Sequence, residues 1–326
     1  KLPCEVPSSP VNTVRTLEAA LREMKQKSAD VLIVVQPTMS DGRFAPVMAR
    51  DWDRPLVLWA TPERQTGEMI SSNSLVGTHV FGATLAQLGR TFEFVYGHPD
   101  EPATREQLSL SIAACAAVNA VRTATVGLIG YHAPGFIDMA AHADAMSRLL
   151  NAELYHQSNT EFFNFYSSVS DERVQAALKD IRSRQIDLGG FSADEMTTAA
   201  RYYAALQDWI ATYRIDALAI RCWPDHLMLT GQWPYLALSL LQTDGYAAVQ
   251  EGDTDGALSA LIVEAAGLGP VYLSDWLEHD RDTCAIWHTG VIPLQFCEEP
   301  QPRLANHFNN KRPMVVEGTI PSGIDV

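Results

Sequence analysis

The sequence predicts an α/β fold, with two parallel-sheet domains followed by the start of a β-rich C-terminal domain. Three observations predict it. Short runs of Val, Ile and Leu alternate with stretches of helical periodicity, the pattern of parallel strands joined by right-handed crossover helices. The order restarts near residue 122, and beyond Gly269 the helical pattern gives way to short strand-like runs. A length of 326 residues suits more than one domain, and the expected divisions are 1–122, 123–268 and 269–326.

Along the chain, Val14, Leu17, Ala20, Leu21 and Met24 recur at spacings of three and four, predicting an amphipathic helix ahead of a strand over 31–35. A second strand over 55–59 precedes a Gly-, Ser- and Asn-rich loop at 71–77, a helix over 80–88 and a strand over 92–96. A long helix over 106–122 closes the first domain. The second opens with a strand over 125–130, a loop, and a helix over 136–150. Helices over 171–182 and 193–213 follow, then a strand at 217–220, a helix at 235–241, a strand at 247–249 and a helix at 256–266. After Gly269 come strands at 271–273 and 285–287 and a polar tail with four prolines, too few strands for an independently stable sheet.

The chain has 24 Lys and Arg against 39 Asp and Glu, a net charge of −15, with no basic run. That balance argues against nucleic acid, whose phosphates need a positive field, and leaves a cation acceptable. The 47% hydrophobic and 19% charged content excludes a disordered or coiled-coil chain. The five cysteines are scattered without a C-x-x-C pair, which fits a reducing cytoplasm. No apolar stretch reaches the length of a membrane span, and Lys1 is not followed by a signal-peptide pattern.

Chemistry concentrates at strand ends. Glu251, Asp253 and Asp255 sit between the 247–249 strand and the next helix, where α/β proteins place ligand groups. Asp253 and Asp255 also suit helix capping, but Glu251 lies too early for that role. Asp275 follows the 271–273 strand, 24 residues beyond Glu251. If the two strands were parallel neighbours about 4.8 Å apart, both carboxylates would converge on one cation. Taken singly, each acid is more often a loop or cap residue than a ligand. His288 leaves the 285–287 strand toward the same rim, as a site group or as a histidine satisfied by backbone. Arg221 and Trp223 end the 217–220 strand, a polar group and an aromatic face suited to a sugar ring, with a core tryptophan as the competing reading. No G-x-G-x-x-G follows a strand, and no G-x-x-x-x-G-K-[ST], G-x-S-x-G or H-E-x-x-H occurs, so dinucleotide, P-loop, α/β-hydrolase and zincin readings lose their support.

Four segments carry a resemblance: Leu218-Ala219-Ile220-Arg221-Cys222-Trp223, then 249–258 with Gln250-Glu251-Gly252-Asp253, then Leu273-Ser274-Asp275-Trp276, and 286–293 with Trp287-His288-Thr289-Gly290. In order and spacing they resemble the L-fucose isomerase and L-arabinose isomerase superfamily, most closely over 120–320. The resemblance implies two Rossmann-like domains, a β-rich C-terminal domain, and an intramolecular oxidoreductase that interconverts aldoses and ketoses through a cis-enediolate. It implies Mn²⁺ or another divalent cation on Glu251 and Asp275, the same carboxylates acting as acid and base. Trp223, His288 and Arg221 would contact a monosaccharide. A homo-oligomer, often a hexamer, with sites completed by neighbouring subunits is also implied. The superfamily's first strand would precede Lys1 and its third metal ligand, a histidine, would follow Val326; His307 is a conceivable stand-in. Two other readings remain: a non-catalytic sugar binder using Trp59, Trp223 or Trp233, and an NAD-linked dehydrogenase weakened by the absent glycine fingerprint.

Overall fold

A computed structural model of the protein describes residues 3–64 and 70–323. It is a mixed α/β chain with parallel sheets and eleven α-helices among the described residues. Two compact units divide it, Lys1–Asn119 and Ala120–Val326.

The first unit is a parallel sheet of β1 (Leu32–Gln36), β2 (Leu56–Ala60) and β3 (Glu93–Tyr96) in that order. Helices α1 (Val14–Gln26), α2 (Ala45–Asp51) and α3 (Ser74–Gln87) join its core, and α4 (Pro102–Arg122) runs through the division. Thr13 caps α1 by accepting from Thr16 N–H, and the stripe Leu17, Ala20, Leu21 and Met24 is buried. Trp52, fully buried, satisfies its indole by donating to Pro55 O at 3.1 Å. α3 starts six residues earlier than its apolar periodicity suggests, because Ser74, Gly77 and Thr78 are small enough to be buried in its first turn.

The second unit is built on four parallel strands in the order β5–β4–β6–β7: β4 (Thr125–Ile129), β5 (Glu153–Gln157), β6 (Ala217–Ile220) and β7 (Ala247–Val249). Every residue of β6 and β7 is buried, as a sheet covered on both faces requires. Around it lie α5 (Ala143–Ala145), α6 (Asn159–Ser168), α7 (Asp171–Ser183), α8 (Ala193–Tyr213), α9 (Asp225–Thr230), α10 (Tyr235–Thr243) and α11 (Thr254–Ala265). α8 supplies Tyr202, Tyr203 and Trp209 to the largest core cluster. Trp209 lies so close to β4 that a Cβ on Gly127 would meet its ring at 2.7 Å, so only glycine fits there.

The order of strand addition reverses between β4 and β6, since β5 lies on one side of β4 while β6 and β7 continue on the other, all four running parallel. The carboxyl ends of strands at such a reversal form a crevice in α/β sheets. After the sheet come two antiparallel pairs, β8 (Asp275–His279) with β9 (Cys284–Trp287), and β10 (Arg303–Asn306) with β11 (Pro313–Glu317).

Three expectations need correction. Residues 136–150 do not form one helix: a 3₁₀ turn at Ile137–Met139, α5 and a π-turn at Met146–Leu150 replace it. Ile137 and Leu149 are exposed and Met146 alone of these turns is buried, so no continuous apolar face drives a helix. Residues 271–273 follow Pro270, pack Val271 and Leu273 against the sheet's helix by side chains, and form no ladder. Glu251 and Asp275 therefore do not end neighbouring parallel strands; β7 is the sheet edge and Asp275 opens the antiparallel β8.

Candidate active site

At the end of β7 the backbone of Glu251 turns into the left-handed region, φ 66°, followed by Gly252 at φ 73°. A non-glycine residue there costs about 1–3 kcal/mol and persists only where its surroundings fix it. They do so from two sides. Gly252 N–H donates to Ile220 O at 3.0 Å, and Ala133 N–H donates to Glu251 O at 2.8 Å. A Cβ on Gly252 would stand 2.1 Å from Tyr131 O, so glycine alone lets the loop after β4 lie on this turn. Asp253 then caps α11 by accepting from Gly256 N–H at 2.8 Å, the capping reading rather than the ligand one.

The strained turn carries the Glu251 carboxylate into a buried position, 8% exposed. Its Oε1 accepts from Trp223 Nε1–H at 3.2 Å, and its Oε2 stands 3.6 Å from His288 Nε2. Asp275 Oδ1 approaches the same nitrogen at 4.0 Å from the open end of β8. The two acids thus meet at one imidazole rather than at two strand ends. His288 Nδ1 lies 2.9 Å from Leu273 O, while Nε2 has no hydrogen-bond partner among the described residues. Burial alone would depress the His288 pKa; the Glu251 carboxylate, the Leu273 carbonyl and the Asp275 charge outweigh it and raise the pKa above its ordinary value.

Trp223, half-buried, also meets Phe136 edge-on at 5.7 Å between centroids. Arg221 does not join the group: its Nε turns to Asp225 Oδ2 at 2.8 Å. Trp233 is a core residue stacked on Tyr235, and His307 lies buried against both rings. Trp59 belongs to the other unit, donating to Gly97 O at 3.1 Å. Beside His288 opens a cavity of about 390 Å³ whose walls include Tyr272, Trp287, Thr289, Asn306 and Phe308. A shallower depression of about 460 Å³ near Tyr166 and Arg201 holds none of the candidate residues. The motif reading passed over Asn306 and Phe308, which lie in a tail without periodicity, and Gln250, the buried neighbour of Glu251.

Among the described residues no group of three or more His, Cys, Asp or Glu is placed to hold a metal ion. Glu251 and Asp275 are nonetheless hard oxygen donors facing a common atom, so a divalent cation would find two carboxylates here and draw further ligands from elsewhere.

No family model matches the chain. Its sequence is similar to curated proteins named sulfoquinovose isomerase. The one from Priestia aryabhattai is 27% identical over 87% of this chain and 64% of its own length. The one from Alkalicoccus urumqiensis is 26% identical over 98% of this chain and 72% of its own. One from Clostridium sp. (strain MSTE9) is 24% identical over 86% and 64%. The chain thus spans under two thirds of the length of the Priestia relative. These names correct the family expectation: the relatives are sulfoquinovose isomerases, not L-fucose or L-arabinose isomerases. Glu251, Asp275 and His288 consequently stand on their geometry, not on motif carry-over.

Among the described residues no helix is long and apolar enough to cross a membrane.

Proposed function

We propose that this chain carries part of the active centre of an aldose–ketose isomerase, with a sulfonated aldose, the class its relatives' name designates, as substrate. One observation carries the reading: Glu251 and Asp275 approach one buried imidazole nitrogen, at 3.6 and 4.0 Å, at the carboxyl-end rim of a parallel sheet. Isomerisation moves the C2 hydrogen to C1 and a proton from O2 to O1. Glu251, buried and rigidly held, takes the C2 proton. The electron pair left behind forms the C1–C2 double bond while the carbonyl pair moves onto O1. His288 takes the O2 proton, with Asp275 steadying the resulting cation, and hands it to O1, so the ring ends neutral as it began. As the C2 carbonyl forms, Glu251 returns its proton to C1. When bound, a divalent cation on Glu251 and Asp275 would supply Lewis-acid polarisation of the sugar oxygens.

The cavity beside His288 would give the sugar room on the side of the ring away from the two acids, with Trp287 and Phe308 among its walls. The proposal includes a homo-oligomer in a reducing cytoplasm, tested by light scattering and by fractionation of cells.

The test is NMR of sulfoquinovose and a panel of aldoses incubated with the protein in D₂O, with Mn²⁺ and then with chelator. Deuterium at C2 or new ketose, lost in Glu251→Gln, supports the reading. Sugar binding without exchange, unchanged in Glu251→Gln and Asp275→Asn, would replace it with the non-catalytic binder.

A further inference from the structure

Gln250 is fully buried one residue before Glu251, and its side-chain amide nitrogen is pressed against Nδ1 of His288. Its amide oxygen has no hydrogen-bond partner among the described residues. The same Nδ1 lies 2.9 Å from Leu273 O, which can only accept. A single ring nitrogen cannot donate to a carbonyl and accept from an amide together. Turning the Gln250 amide by half a turn removes that conflict at Nδ1, because its oxygen then shares the Nδ1 hydrogen with Leu273 O while its NH₂ takes the place the oxygen held.

Opposed acceptors compete for that one hydrogen. On the Nδ1 side stands Leu273 O; on the Nε2 side stands the Glu251 carboxylate at 3.6 Å, with Asp275 behind it at 4.0 Å. A carboxylate is the stronger acceptor, so Leu273 O alone would not hold the hydrogen on Nδ1. We infer that Gln250 is a positioning residue that keeps the His288 hydrogen on Nδ1, leaving Nε2 with its lone pair toward Glu251 and Asp275. A lone pair there accepts a hydroxyl proton; a hydrogen there would only donate. The tautomer stands independently of the isomerase reading, and only its effect on turnover rests on that reading.

The experiment is ¹⁵N NMR of the histidine-labelled chain at alkaline pH, where the ring is neutral, with His288 assigned by its loss in His288→Asn. The wild type is expected to show a protonated Nδ1 and an unprotonated Nε2. Gln250→Met keeps side-chain length without the amide and is expected to shift Nε2 toward the protonated range. Gln250→Glu, which can only accept, is expected to restore the wild-type pattern. With turnover measurable, Gln250→Met lowers kcat on the order of ten-fold at constant KM. A protonated Nε2 in the wild type, or a Gln250→Met spectrum identical to it, overturns the inference. If Gln250→Met does not fold, the wild-type spectrum alone decides it. An Nδ1-protonated ring in a protein inert toward sugars would sink the isomerase reading and leave this one standing.

Discussion

Trp223 and Glu251 are joined across the ends of two adjacent strands, the indole N–H of one donating to the carboxylate of the other at 3.2 Å. The contact fixes the carboxylate's orientation and supplies a charge-assisted hydrogen bond, worth about 1.5–3 kcal/mol. Trp223→Phe preserves most of the packing against Phe136 and removes the donor. We expect kcat/KM to fall about ten- to a hundred-fold, equivalent to about 1.4–2.8 kcal/mol, with a smaller change in melting temperature. Equal losses in both would assign Trp223 to the core alone.

Gly252→Ala places a methyl group where Tyr131 O already stands, at a φ of 73°. The variant must displace the loop after β4 or the Glu251 turn. A destabilisation of about 2–4 kcal/mol is expected in urea unfolding. Gly190→Ala, where a Cβ meets nothing within 4 Å, is the control and should stay within about 0.5 kcal/mol of wild type.

His226 is fully buried among Phe162, Phe163 and Tyr202, and neither ring nitrogen has a hydrogen-bond partner among the described residues. Burial, and then the nearby Arg221 charge, push its pKa down from 6.5 to about 3. Above pH 6.5 the ring is neutral in both states and contributes no pH dependence. As pH falls below that value the unfolded chain takes up a proton that the folded chain refuses. Stability therefore drops by up to about 1.4 kcal/mol per pH unit from this group until pH nears its folded pKa. His226→Phe should flatten the fall in urea-unfolding free energy between pH 6.5 and 5; an unchanged slope would mean that the folded ring protonates readily.

Phe308, 55% exposed, borders the cavity beside His288 and meets Trp287 edge-on at 5.9 Å. If the sugar lies there, Phe308→Ala removes uniform binding: KM should rise several-fold at nearly constant kcat, with little loss of stability. An unchanged KM would place the sugar elsewhere.

β2, β4, β6 and β7 were legible because burial on both faces writes them as apolar runs, whereas β1 and β3, partly exposed, were legible through their β-branched and aromatic residues. β5 was not: its sequence Glu153-Leu154-Tyr155-His156-Gln157 is half polar, as an edge strand can be. β10 and β11 hide in a proline-rich tail, where β11 even begins on Pro313. Glu251 and Asp275 could be singled out as carboxylates after apolar runs. Their true relation could not, because it depends on an antiparallel hairpin bringing His288 between them. Gln250 stood in a segment that carried the resemblance but was given no role, since a buried glutamine looks in sequence like any polar loop residue.

All nine residues of β8 and β9 are exposed, and among the described residues each strand pairs only with the other. A lone hairpin of this kind has little local free energy to resist opening, whereas the Glu251 turn opens only with the end of a fully buried sheet. Amide protons of the hairpin should therefore exchange with solvent orders of magnitude faster than those around Ile220 and Val249. Asp275 belongs to the fast-opening half of the group and Glu251 to the slow half, so the distance between the two acids is an average over hairpin openings that leave the sheet untouched.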